Sequence, residues 1–205
     1  MKNYKEDSRK TFDEMAVEYE NSCFGRMSGK LYDKVALKAE HFGHEFILDL
    51  GCGKGNLLEI LKKYKSKLYG ADISSEMIKY ARERLGNYAE LKVADSESLP
   101  WEDNSFDIIV CTLSFHHYPD PGKSLNEMKR VLRKNGHIII AEGWLPALLR
   151  DLANLFLKSK FNKTGDVRVY SKYEWLNTLR SAGFNNIDFE KVSSFFLIIT
   201  ARICK

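Results

Sequence analysis

The sequence predicts an α/β fold built on a mostly parallel sheet, and three observations predict it. From residue 46 onward, short apolar strand-like segments alternate with helix-patterned ones, the order that βαβ units impose. Phe46 to Leu50 runs straight into a glycine turn and a helix start. Phe106 to Cys111 is apolar at nearly every position, as a central strand covered on both faces must be.

Each element has its own local reason. Residues 1–45 precede the first strand. Met27, Leu31, Val35, Ala39 and Phe42 recur there at helical spacing, which predicts an N-terminal helical cap. After the glycine turn, Leu57, Leu58, Ile60, Leu61 and Tyr64 mark the buried side of a helix. Lys67 to Ala71 is a second strand. Ser74 or Ser75 can cap the next helix, whose inner face is Met77, Ile78, Ala81 and Leu85. Leu91 to Ala94 is a third strand and Phe106 to Cys111 the fourth. Leu125, Met128, Val131 and Leu132 mark a helix that Asn135-Gly136 should stop. His137 to Ala141 is a fifth strand. Residues 143–170 read as an insertion of lid size, with Leu145, Leu148, Leu149, Leu152, Leu155 and Phe156 on an amphipathic stripe. Ser171 and Glu174 form a capping box that opens a helix ending at Gly183. Asn186 to Ile203 reads as two strands that can pair as a hairpin. One domain over 1–205 is expected: cap 1–45, core 46–142, lid 143–170, and a closing helix and strand pair 171–205.

Composition narrows the function classes. The chain has 205 residues, 44% hydrophobic and 29% charged, which suits one domain and excludes disorder or a fibre. No apolar run approaches the roughly 18 residues that span a bilayer. The opening MKNYKEDSRK has no apolar core of a secretory signal. Cysteines stand alone at 23, 52, 111 and 204, so neither a zinc cage nor a disulfide framework is expected, and a reducing cytoplasmic setting is. A net charge of +4 is too small to argue for nucleic acid. Lys62, Lys63, Lys65 and Lys67 read as a solvated helix end. Oligomeric state has no signal in the sequence.

The chemistry centres on Ile47-Leu-Asp-Leu-Gly-Cys-Gly-Lys-Gly55. Ligands of an open parallel sheet bind beyond the carboxyl ends of its strands, where glycines admit close approach and a helix start offers free N–H groups. A dinucleotide fingerprint wants G-x-G-x-x-G, but the third position here is Asn56. Asp49 would repel a pyrophosphate by roughly 4 kcal/mol per charge pair at about 4 Å and an effective dielectric near 20. It would attract an ammonium group instead. Asp72, at the end of the second strand, can accept from both ribose hydroxyls. Asp95-Ser96 follows the third strand and can accept from an adenine amino group. Ribose with ammonium points to S-adenosyl-L-methionine and away from a nicotinamide oxidoreductase.

These residues resemble the class I S-adenosylmethionine-dependent methyltransferases, in the small-molecule branch that includes the quinone-biosynthesis C-methyltransferases. The matching pieces are ILDLGCGKG at 47–55, GADISSEMIKYAR at 70–82 and VADSESLPWEDNSFDIIVC at 93–111. SFHHYPDP at 114–121 and EMKRVLRKNGHIII at 127–140 continue them in order. The resemblance implies a Rossmann-like three-layer α/β/α sandwich, with a seven-stranded, mostly parallel sheet and an antiparallel last strand. It implies Asp49, Gly51, Cys52, Gly53 and Gly55 around the methionine end, Asp72 on the ribose and Ile73 against the adenine. It also implies Asp95 and Ser96 near the adenine amino group and the residues around Thr112 to Ser114 beside the sulfonium. Phe12-Asp-x-x-Ala16-x-x-Tyr19 resembles a segment that closes over the cofactor, with Tyr19 as a candidate contact. Asn135-Gly136 departs from the family's Pro-Gly-Gly, which alters a turn and not the site.

His116 and His117 follow the fourth strand, where an acceptor would sit, and either could take a proton from a nucleophile. Alignment without a base is the alternative. No third ligand stands near them in sequence, so no metal is expected. Asp107, at the opposite end of its strand, reads as structural. The expected reaction is direct in-line methyl transfer to a small-molecule acceptor. Two other readings stay open. One is a nucleic-acid methyltransferase, against which Ser114-Phe-His-His-Tyr-Pro lacks the Asn/Asp-Pro-Pro-aromatic pattern. The other is a methyltransferase-like binding protein without chemistry.

Overall fold

The computed structural model describes residues 3–16, 23–43, 45–159 and 161–203. Its strands are β1 (Phe46–Leu50), β2 (Lys67–Asp72), β3 (Ala89–Val93), β4 (Phe106–Thr112), β5 (Leu132–Gly143), β6 (Phe184–Lys191) and β7 (Phe196–Ile203). Among the described residues they form one seven-stranded sheet in the order β3-β2-β1-β4-β5-β7-β6. β3, β2, β1, β4 and β5 pair in parallel, and β7 runs antiparallel to both β5 and β6. The expected three-layer fold is therefore present. The winding direction reverses between β1 and β4, which opens a crevice at the carboxyl ends of those two strands.

Alternation along β4 explains the two cores. Ile108 and Val110 point to one face, where they pack with Ile47, Ile139 and residues Leu31 and Val35 of α2 (Cys23–Phe42). On that face also lie α3 (Asn56–Leu61) and α4 (Ser75–Leu85). Ile109 and Cys111 point to the other face, against Met128 of α5 (Pro121–Val131) and Trp175 of α7 (Lys172–Ser181). Ser74 caps α4 by accepting from the Met77 N–H, and the capping box of α7 is complete at Ser171 and Glu174. Asp107 is structural, as expected: it accepts from the N–H groups of Glu45 and Phe46 and pairs with Arg133 at the edge away from the crevice.

Two boundaries and the facing of one helix differ from the sequence reading. Helix α5 stops at Val131, and β5 begins at Leu132, five residues earlier than expected. Leu132 turns extended and pairs with Phe106, while Asn135 takes the left-handed conformation at φ 64° within the strand. α3 ends at Leu61, so Tyr64 lies beyond it. The leucine stripe of the lid, on α6 (Ala147–Leu157), is turned outward, and no residue of that helix is buried. Among the described residues, no helix is long and apolar enough to cross a membrane.

Candidate active site

The crevice is built from the loops that leave β1, β2, β3 and β4. Gly51 follows β1 at φ +77°, and both its N–H and that of Cys52 donate to the Ala71 carbonyl of β2. A Cβ at Gly51 would lie 1.9 Å from Ser114 Oγ, so only glycine lets the two loops meet. Asp72 is fixed from below: its carboxylate accepts from the Gly53 N–H at 2.8 Å and the Ser74 N–H at 2.9 Å. Burial raises its pKa, and those backbone donors work against the rise. Asp49 is 2% exposed, and burial, reinforced by the charge of Asp72, pushes its pKa up to about 8. Asp49 is therefore mostly protonated at neutral pH, and a cationic ligand beside it and the half-buried Asp72 would favour its ionised form.

The cleft between these loops is lined by eight of the residues expected to hold cofactor: Gly51, Cys52, Gly53, Asp72, Ile73, Asp95, Ser96 and Thr112. Asp49 lies beneath that wall and not in it. Gly55 is also outside it. Its Cβ would meet Leu85 at 2.7 Å, so this glycine serves the packing of α3 on α4. Tyr19 lies outside the described residues.

An N-terminal helix, α1 (Tyr4–Met15), lies over the cleft and contributes residues that the motif reading missed. Lys5 binds the Asp95 carboxylate at 2.6 Å and Glu97 at 2.7 Å. Asp13 accepts from Ser74 Oγ at 2.6 Å. Ser8 is buried against Gly165, where a Cβ would come within 2.5 Å of its backbone. The covered cleft holds about 70 Å³ of open space, against roughly 300–1,000 Å³ for ordinary ligand pockets. The residues suit S-adenosylmethionine in kind: a ribose acceptor at Asp72, paired carboxylates for an ammonium group, and a buried Thr112 Oγ1 with no partner among the described residues. The open space beneath α1 is small for such a ligand.

A second cavity of about 450 Å³ adjoins the cleft and shares Phe12, Leu113 and His117 with it. Its walls are mostly apolar, from Met15, Ala153, Phe156, Tyr170, Trp175 and Phe196. The polar groups gather at His116 and His117. His116 Nδ1 bonds Glu142 Oε2 at 2.8 Å, and its Nε2 lies 3.2 Å from Asp166. Burial disfavours its charged form, but the two carboxylates outweigh burial and raise its pKa to about 10. His117 has its Nε2 3.6 Å from the same Asp166 oxygen and its ring edge-on to Phe12 at 5.0 Å. Burial, then the His116 cation with its ring 4.2 Å away, lowers its pKa to about 4. The sequence does not separate the two histidines; their surroundings raise the pKa of His116 and lower that of His117.

Glu142 and Asp166 were not legible as partners, being 26 and 50 residues from His116. The Asp166 loop is built by Asn162, whose amide donates to the carbonyls of Leu157 and Asp166, and the His116 carbonyl accepts from the Val167 N–H. A third potential ligand that is distant in sequence is near in space: Asp166 lies close enough to both rings for the three to hold an ion.

Residues 48–140 match the methyltransferase domain. A demethylmenaquinone methyltransferase of Clavibacter sepedonicus is 30% identical over 172 residues, covering 73% of this chain and 69% of that protein. The chain belongs to the S-adenosylmethionine-dependent methyltransferases. A demethylmenaquinone methyltransferase of Thermotoga maritima is 33% identical over 144 residues, 67% of this chain and 62% of its own length. Other curated relatives are matched over 36% to 60% of theirs. Among solved structures, a SAM-dependent methyltransferase from Aquifex aeolicus shares the fold at a TM-score of 0.66 and 25% identity, over 82% of this methyltransferase-family chain and 89% of its own. S-adenosylmethionine is accordingly the cofactor.

Proposed function

We propose that this protein transfers a methyl group to a small-molecule acceptor seated in the apolar cavity, with His117 taking the proton that the acceptor loses. The observation that carries this reading is the junction of the two cavities at Leu113, Phe12 and His117. When bound, S-adenosylmethionine supplies a methyl group made electrophilic by a sulfonium. Asp72 would hold the ribose and Asp95 and Ser96 the adenine edge, while Asp49 would ionise as the positive charge of the ligand arrives behind the crevice wall. The chain's own task is alignment and exclusion of water, which the covering of α1 and the 157–170 loop serves.

His117 is neutral at physiological pH and can accept a proton from a hydroxyl or an acidic C–H. His116, already a cation between Glu142 and Asp166, cannot. It positions Asp166, which faces the imidazolium that His117 becomes. The cavity suits an acceptor with a bulky apolar body and one protic group. Quinone-ring precursors are one such class, consistent with the names of the relatives. Buried free thiols at Cys52 and Cys111 support a reducing cytoplasmic setting.

The test is a thermal-shift titration with S-adenosylmethionine, S-adenosylhomocysteine and NAD, followed by a mass-spectrometric screen of apolar phenols and quinols. Ligand at about 100 times its Kd should stabilise by about 2.7 kcal/mol, which is ~5–10 °C at this size. Both S-adenosyl ligands should shift the melt, NAD should not, and products should gain one CH2 in wild type but not in His117→Ala. A shift with NAD alone would refute the reading. Binding of cofactor with no methylated product across the screen would favour the non-catalytic alternative.

A further inference from the structure

Helix α6 is inside out for a soluble surface helix. Its polar face is turned to the protein: the Asn154 amide donates to the Val169 carbonyl at 3.0 Å, and its oxygen accepts from the Val169 N–H at 2.8 Å. Its apolar face is turned away. Leu148 is 74% exposed, Leu152 57% and Leu155 70%, with Leu149 and Phe156 beside them. At 3.6 residues per turn these side chains fill a stripe about 120° wide. The helix C-terminus leads into Lys158-Ser-Lys-Phe-Asn-Lys163, and residues 145–163 carry four basic residues against one acidic. The one acid, Asp151, is paired with Arg150, while Lys158 and Lys163 are exposed. An apolar stripe edged by lysines has the chemistry of an interfacial helix, whose apolar side enters the headgroup boundary while its cations meet lipid phosphate.

We infer that α6 seats this protein on an anionic phospholipid bilayer, its leucine face embedded and Lys158 and Lys163 on the headgroups. The inference goes beyond the methyl-transfer reading and stands without it, since it rests on α6 alone. The position of the helix gives it a consequence: Ala153 and Phe156 also line the apolar cavity, so the seat lies at that cavity's wall.

The experiment is co-sedimentation of the full chain with vesicles of equimolar phosphatidylglycerol and phosphatidylcholine, and with phosphatidylcholine vesicles alone. The comparison variant is Leu148→Ser/Leu152→Ser/Leu155→Ser, three exposed sites whose replacement leaves the cores intact. Wild type should partition at least tenfold more strongly onto the anionic vesicles than onto the neutral ones. The variant should lose at least tenfold of that binding while keeping the same melting temperature and the same S-adenosylmethionine shift. No binding by wild type, or equal binding by the variant, would overturn the inference. So would a wild-type dimer in analytical ultracentrifugation that the variant converts to monomer without any vesicle binding, because a second copy would then be what covers the stripe. Retained vesicle binding without methyl transfer would count against the methyl-transfer reading only.

Discussion

Replacing Asp166 by Asn should turn His116 from a permanent cation into an ordinary imidazole. His116 is held between two carboxylates, with Glu142 at 2.8 Å and Asp166 at 3.2 Å. Together they lift its pKa from 6.5 to about 10 against the pull of burial. A unit charge pair at 3.2 Å and an effective dielectric near 20 is worth about 5 kcal/mol, equal to a pKa change of about 4. The net elevation is about 3.5, so one lost carboxylate is enough to bring His116 back to 6.5 or below. Asn keeps the shape of Asp and removes only the charge. The assay is a two-dimensional NMR titration of the imidazole carbon-bound protons from pH 5 to 10. In wild type, one of the pair should stay protonated through pH 9 and the other should stay neutral down to pH 5. In Asp166→Asn, the first should titrate between about pH 5 and 7. Methyl transfer should fall as well, by about 10- to 100-fold, because the imidazolium formed on His117 loses its facing carboxylate. A wild-type His116 that titrates near 6.5 would refute the charge assignment, and with it the separation of the two histidines.

The same network sets a stability slope. A histidine whose folded pKa is raised stabilises below its unfolded value and loses that stability as pH rises through the folded one. Wild type should therefore weaken between pH 6.5 and about 10, and His116→Asn should flatten that limb in urea titrations monitored by circular dichroism. His117, lowered to about 4, acts oppositely and disfavours folding below pH 6.5, so His117→Asn should soften acid unfolding. Asp72→Asn should weaken S-adenosylmethionine binding by about 30-fold, since one of two charge-assisted acceptors for the ribose is lost at ~2 kcal/mol; calorimetry reads it directly. Gly51→Ala should lower stability by at least about 2 kcal/mol, from left-handed strain plus the clash at 1.9 Å with Ser114, whereas Gly53→Ala meets nothing within 4 Å and should lose only about 1 kcal/mol; equal losses would contradict the loop contact. Deleting residues 1–22 should cripple turnover while the sheet stays folded, and normal turnover by the truncated chain would remove α1 from the mechanism.

What the sequence made legible, and what it hid, follows from the range of each interaction. The core strands and the loops that follow them are readable because every signal is local. Asp49, Gly51, Asp72 and Asp95 each stand at a strand end, where alternation and glycine punctuation mark the position without knowledge of anything distant. Leu132 was misread because helical spacing continues through it, and only its pairing with Phe106 across the sheet decides that it is extended. Gly55 was assigned to the ligand because it sits in the motif, but its need for glycine comes from Leu85 on the next helix. The histidine network fails for the same reason on a longer scale. Nothing near Ser114-Phe-His-His-Tyr distinguishes the two rings; Glu142 from β5 and Asp166 from the lid reach one ring closely and the other less so. The loop that brings Asp166 is braced by Asn162 inside and by Ser8 of α1 at Gly165. Deleting α1 should therefore loosen the loop that carries Asp166 and lower the pKa of His116, which the same NMR titration reads. The contact that such a deletion removes joins a glycine and a serine 157 positions apart in the chain, and an unchanged His116 titration in the truncated protein would show that this contact does not hold the loop.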